Sequence, residues 1–176
     1  MSAPAPAPKP PAPAGPPLPP PGPAEQEMLD ALKGALSEMA EEPRRVAVRR
    51  LVTRSTPERM RDTITKIRSL GCRRLSAISA VDMGETIDVI YHACAPKGVL
   101  VSVRAAVPKK AARIPTVTDI LPAAALYERE IHDLFGVEFV GNPDLRRLML
   151  HEGWPEGQYP LRKDWKPATT EAVKHA

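Results

Sequence analysis

Apolar side chains recur at Met28, Leu32, Leu36 and Met39, with mostly charged and small residues between them. Spacings of four, four and three put them on one helical stripe, so a helix is predicted over residues 24–43, stopped by Pro43. "RRVAVRRLV" (44–52) then alternates and predicts one strand, with Val46 and Val48 on the same face, running to Ser55. "STPERMRDTITKIRSLG" carries helix signals at both ends. Ser55 or Thr56 can cap it, Pro57 suits the first turn, Met60, Ile64 and Ile67 form the buried stripe, and Gly71 terminates it. Three strands follow, "RRLSAISAV", "ETIDVIYHACA" and "GVLVSVRAAV". The links "DMG" and "PKG" are short enough for hairpins, so successive antiparallel pairing is the economical arrangement. The order of elements predicts an α+β fold: a mostly antiparallel sheet covered by helices on one face.

Beyond a proline-interrupted loop, "LYEREIHDLFGVEF" (126–139) places Tyr127, Ile131, Leu134 and Phe135 on a second buried helical stripe. Gly136 ends that helix, before a short "VEFV" strand. The unit 44–140 is thus one α+β domain. Residues 141–165 hold Leu145, Leu148, Met149, Leu150, Trp154, Tyr159, Leu161 and Trp165, while six Gly or Pro break every period. A segment so apolar and so broken needs a surface to lie on, its own domain's or a partner's, with Trp and Tyr as anchors. The stripes already fill one core, so residues 141–176 are expected to be an extended segment docked on a partner chain.

Composition separates the N-terminus from the rest. Twelve of the 22 prolines fall in residues 1–23. That Pro/Ala tract favours extended polyproline II and buries almost nothing, so it is expected to be a disordered, solvated arm; its PxxP spacings follow from proline density alone. No run approaches the roughly 18–20 apolar residues of a membrane-spanning helix, and no secretory leader pattern opens the chain. A cytoplasmic location is the expectation. Cys72 and Cys94 stand 22 residues apart in strand-like surroundings, which argues against a disulfide framework, and two thiols are too few for the usual four-cysteine iron–sulfur site.

Charge is segregated. Residues 44–74 hold eleven Arg or Lys against Glu58 and Asp62, whereas residues 119–138 hold five acids against Arg129. The basic stretch suits nucleic acid, anionic lipid or an acidic protein, but without Phe, Tyr or Trp it lacks a base-stacking platform, so nucleic acid is disfavoured. Glu128 and His132 share a helix face, as do Arg129 and Asp133, and Glu130 lies within reach of Asp133. A metal site would add His151 or Glu152 to Glu128 and His132, yet the spacing alone defines no geometry. A carboxylate acid/base pair among Glu128, Glu130 and Asp133 has no pocket marked out for it, and His92 with Cys94 reads as a satisfied pair on one strand face. Arg146 and Arg147 could clamp the acids of the 128–133 helix, or those of another chain, or simply be solvated.

"YEREIHDLFGVEFVGNPDLRRLML" followed by "YPLRKDW" resembles the signature of the thirty-kilodalton subunit of respiratory complex I, the NADH-quinone oxidoreductase (NADH dehydrogenase) of bacteria. The corresponding subunit of energy-converting, membrane-bound NiFe hydrogenases shares it. The resemblance runs loosely from about Arg44 and tightly from Pro115 to Trp165. It implies a non-catalytic accessory subunit without a cofactor of its own. Iron–sulfur clusters, and an NADH/quinone or NiFe centre, would sit in partner subunits. The implied partners are the large, forty-nine-kilodalton-type subunit related to hydrogenase large chains and the iron–sulfur subunits of the same complex, at the cytoplasmic face of the membrane and touching the membrane only indirectly. The signature and docking residues carried over are Glu128, Arg129, Glu130, Asp133, Phe135, Gly136, Pro143, Asp144, Arg146, Arg147, Trp154, Tyr159, Pro160, Leu161, Arg162 and Asp164.

Two departures stand out: Asn142 occupies the place where the family usually has His, and "AAAL" replaces a Gly–Ala–Asn–Trp run before "YERE". A quinone-reducing and a hydrogenase-type complex both fit the resemblance. A basic RNA-binding module is the reading of a different class.

Overall fold

A computed structural model describes residues 17–167. Most of the Pro/Ala arm, residues 1–16, and the C-terminal residues 168–176 lie outside the described residues.

Helix α1, Pro23–Leu36, begins where the Gly22 N–H donates to Glu25 Oε2 at 2.8 Å. Met28, Leu32 and Leu36 are buried as the stripe requires. The helix ends at Leu36 rather than at Pro43, because the N–H groups of Met39 and Ala40 both fold back on the Leu36 carbonyl and Ala40 bridges to Ser55. The strand expected over 44–52 is a hairpin, β1 (Arg44–Ala47) and β2 (Arg50–Arg54). Arg49 takes a left-handed φ of 56° at its turn. The buried Glu25 carboxylate holds that turn, accepting from the Arg49 N–H and from the Arg45 guanidinium. Val46 and Val48 are exposed in consequence.

Helix α2, Met60–Ser69, starts later than its cap signals suggest, since the Ser55 hydroxyl pairs with Thr63 Oγ1 instead of a helix N–H. Met60, Ile64 and Ile67 are fully buried, and Gly71 leaves the helix at φ 95°. Strands β3 (Arg74–Asp82), β4 (Thr86–Cys94) and β5 (Leu100–Pro108) form the expected hairpins. The sheet order is β1-β2-β5-β4-β3. Alongside the antiparallel hairpins, β2 and β5 pair in parallel, because α2 carries the chain across the sheet and the two hairpins then fill back to β2. A second, two-stranded parallel sheet joins β6 (Arg113–Pro115), hidden in the proline-broken loop, to β7 (Glu138–Val140). Between them runs α3, Ala124–Phe135.

One face of the large sheet is the core. Ile87, Val89, Tyr91 and Ala93 of β4 stand opposite Val107, Ala105, Val103 and Val101 of β5, all buried beneath the helices. Each large aliphatic side chain removed from water there stabilises the fold by about 1.5–3 kcal/mol before entropy is counted. Among the described residues no helix is long and apolar enough to cross a membrane.

Candidate docking site at the third helix and the C-terminal strap

The acids of α3 point to two different jobs. Glu128 is fully buried and works inward. Its Oε1 accepts from the Val117 N–H at 2.9 Å, and its Oε2 accepts from Thr116 Oγ1 at 2.6 Å and Asn142 Nδ2 at 2.8 Å. It therefore ties α3 to the ends of β6 and β7, whose ladder continues as Thr116 N–H to Val140 O. Burial pushes its carboxyl pKa up, and the three donors only partly offset this.

Asp133 works outward. One oxygen, Oδ2, accepts the successive N–H groups of Leu148, Met149 and Leu150 at 3.2, 2.8 and 2.8 Å, a small backbone nest around a carboxylate. Burial opposes its charge, but the three N–H groups and nearby Arg147 prevail and hold the carboxyl below its ordinary range. Arg129 extends the same grip. Its guanidinium donates to the carbonyls of Arg146 and Arg147 at 3.0 and 2.9 Å and lies 3.7 Å from Asp144. The expected Arg129–Asp133 helix pair is therefore replaced by contacts with the strap. The clamp imagined for Arg146 and Arg147 is also reversed. Arg146 pairs with Asp144, two residues away, Arg147 donates to the His151 carbonyl and acts on Asp133 through its charge alone, and it is the helix that grips the strap.

The far end of the strap is fixed to the C-terminus of α3 and to the β3–β4 hairpin. Leu161 N–H donates to Leu134 O, and Arg162 Nε donates to Phe135 O at 2.7 Å while its guanidinium stacks 4.4 Å from the Tyr159 ring centre. A cation is well placed at the exposed carbonyls of a helix end. Asp82 accepts from Lys109 Nζ, the Lys163 N–H and the Gly84 N–H at 2.7–2.8 Å. Burial works against its charge, yet those donors bring its pKa down to about 2. Lys109 also pairs with Asp164 at 2.6 Å. Between these anchors Trp154 stacks on Trp165 and donates to Gln158 O. An open cavity of about 400 Å³ lies there, edged by His132, Arg147, Trp154 and Tyr159.

The strap thus lies on its own domain over residues 144–164. What it buries inward is chiefly backbone and polar groups. Leu148, Met149 and Leu161 keep 41%, 58% and 51% of their surface exposed, and Leu126 on α3 is exposed too. Phe135 is in the core, Pro160 is half-buried and Pro143 is exposed; Glu130 is half-buried and takes no part in the strap contacts. Glu128 and His132 do not converge as metal ligands, since the carboxylate is taken up inside and His132 Nδ1 faces Val137 O at 2.9 Å. His92 pairs with Ser102, and Cys94 is half-buried rather than buried, held by Ser76 and Arg74. Cys72 is buried, which pushes its thiol up to about 11. Asp82, Lys109 and Thr116 were not legible as site residues, because "DMG" reads only as a hairpin link and "TVTD" only as a loop.

A profile of the family described as the respiratory-chain NADH dehydrogenase 30 Kd subunit matches residues 53–171. Membrane-bound hydrogenase subunit beta of Pyrococcus furiosus is 37% identical over 99 residues, 54% of this chain and 57% of that protein. An NADH-quinone oxidoreductase subunit of Ruegeria pomeroyi is 35% identical over 116 residues, 62% of this chain and 56% of that protein. The chain spans little more than half the length of these curated relatives, and only 14% of Hydrogenase-4 component G of Escherichia coli, to which it is 44% identical over 78 residues. Among solved structures, a chain of a membrane-bound sulfane sulfur reductase, an archaeal respiratory membrane complex, superposes with a TM-score of 0.74 at 31% identity, covering 85% of this chain and 88% of its own. The trypsin-resistant fragment of Nqo5 superposes with a TM-score of 0.59 at 28% identity, covering 67% and 98%. With the profile spanning most of the sheet, α3 and the strap that α3 holds, the chain belongs to the family of the 30 Kd subunit of respiratory-chain NADH dehydrogenase.

Proposed function

We propose that this chain is a non-catalytic subunit of a complex I-related oxidoreductase at the cytoplasmic face of a membrane, where its strap docks on and positions the large, hydrogenase-related subunit. The observation that carries the reading is the division of labour within the strap. Polar groups fasten residues 144–164 to α3 and to the β3–β4 hairpin, while Leu148, Met149 and Leu161 face outward beside Trp154. A surface pre-ordered in this way loses little entropy on binding, and outward aliphatic and aromatic side chains are what a subunit interface buries. In this reading the chain holds no cofactor, and electrons pass through iron–sulfur clusters of neighbouring subunits.

The relatives named for hydrogenase and for sulfane sulfur reductase support a second reading, in which the complex is of the hydrogenase type rather than quinone-reducing. One experiment addresses both. The tagged chain is purified from detergent-solubilised membranes and its companions are identified. A large subunit related to hydrogenase large chains is expected, and four nickel-ligating cysteines in it select the hydrogenase type. Met149→Asp with Leu148→Asp should abolish co-purification while leaving the melting temperature of the isolated chain unchanged. A chain that emerges alone, or a double variant that assembles normally, overturns the proposal.

A further inference from the structure

The face of the large sheet turned away from the helices is built differently from the core. Register places Arg50, Val52 and Arg54 of β2 beside Leu100 and Arg104 of β5, with Ile90 of β4 next in line. Among the described residues no helix covers this face. Arg50 and Arg54 are exposed, and Val52, Ile90 and Leu100 are half-buried between them. Neither Arg50 nor Arg54 has a carboxylate within ion-pair distance among the described residues; Glu41 edges the cleft beside Arg54 without pairing to it, and Asp88 is already taken by Arg104. Arg104 Nε is buried without a hydrogen-bond acceptor.

We propose that this face is a second docking surface, taken by an acidic, amphipathic segment of another polypeptide in the same complex, with carboxylates on Arg50 and Arg54 and apolar side chains over Val52, Ile90 and Leu100. Guanidinium forks spaced by aliphatic residues match carboxylates on a peptide, since Arg pairs bidentately with them. Residues 1–16 and 168–176 do not supply the charge: the first carry Lys9 and no acid, and the second carry Glu171 against Lys174. Nucleic acid is the weaker match, as no Phe, Tyr or Trp lies on this face among the described residues and its imidazole, His92, is half-buried against Ser102. The surface is separate from the strap, and the proposal shares with the proposed function only the premise that the chain works inside a complex.

The test is site-specific photo-crosslinking in the assembled complex, from Val52 and, separately, from Ile90, with Lys66 on the outer side of α2 as control and Met149 as reporter of the strap. Positions 52 and 90 are expected to mark one common segment rich in Asp and Glu. Arg50→Glu with Arg54→Glu should cut that yield roughly tenfold or more while crosslinking from Met149 is kept. If the double reversal unfolds the isolated chain, Arg50→Gln with Arg54→Gln takes its place. Crosslinks to lipid, to RNA, to the chain's own termini, to a second copy or to nothing at all overturn the proposal. Loss of Met149 crosslinks alone counts against the strap and leaves this surface standing.

Discussion

The Tyr159 ring occupies the space that a side chain at Gly136 would need. A Cβ built on that glycine would lie 2.3 Å from Tyr159 Cζ and 2.4 Å from Cε2, and the glycine itself sits at φ 68° as the left-handed cap of α3. One residue thus ends the helix and seats the strap. Gly136→Ala adds about 1 kcal/mol of backbone strain and forces the ring, with Arg162 stacked on it, off its seat. The expected result is a loss of about 2–3 kcal/mol in chemical denaturation together with faster hydrogen exchange at Leu161 and Arg162. Unchanged protection at those two amides would show that the ring does not hold the strap.

Asp133→Asn keeps the shape of the side chain and removes the charge on which three backbone N–H groups converge. Hydrogen bonds to a charged acceptor are worth about 1.5–3 kcal/mol more than none, so roughly 2 kcal/mol should be lost. The loss should be local. Amides of Leu148, Met149 and Leu150 should exchange faster while those of β4 and β5 keep their protection, and uniform loosening of the whole domain would contradict the latch.

Where the chain signals its structure locally, the sequence is a good guide. Alternation in "ETIDVIYHACA" and "GVLVSVRAAV", with a short link, leaves little choice but β4 and β5 as a hairpin. The β1–β2 turn escaped because Arg49 sits in the left-handed region with no Gly, Asn or Pro to announce it, its conformation being held by Glu25, 24 residues away. Parallel pairing of β2 with β5 and of β6 with β7 escaped for the same reason, since both depend on distant partners. The "YERE" acids were legible as a set, but their roles were not. Glu128 and Asp133 differ in what surrounds them, Thr116 and Asn142 in one case and bare strap amides in the other, and no spacing within α3 encodes that.

The Asp82 junction predicts how stability responds to acid. Its pKa in the fold is about 2, against 3.8 for a free carboxyl. A depressed carboxyl contributes stability that is complete above its unfolded pKa and is lost as pH falls through its folded one. About 2 kcal/mol should therefore disappear between pH 4 and pH 2. Asp82→Asn should flatten that part of the pH profile and, by releasing Lys109 and the Lys163 N–H, free the strap from the β3–β4 hairpin. A wild-type and variant profile that run parallel over this range would exclude Asp82 as the source.

Glu128 should behave in the opposite sense, and Asn142 is the handle on it. Burial raises the Glu128 pKa, so its contribution to stability is complete below the unfolded value and falls away as pH rises through the folded one. The Asn142 amide donates to the charged form at 2.8 Å, and removing it leaves a buried carboxylate with one donor fewer. Asn142→Ala should thus cost about 1.5–3 kcal/mol at neutral pH, with the deficit shrinking as acid neutralises Glu128. Part of the loss is independent of pH, because Asn142 Oδ1 also accepts the Asp144 N–H. The two parts separate in a Glu128→Gln background, where the constant part should remain and the pH-dependent part vanish. A pH-dependent deficit that survives in that background would place the titrating group elsewhere and detach Asn142 from the buried acid.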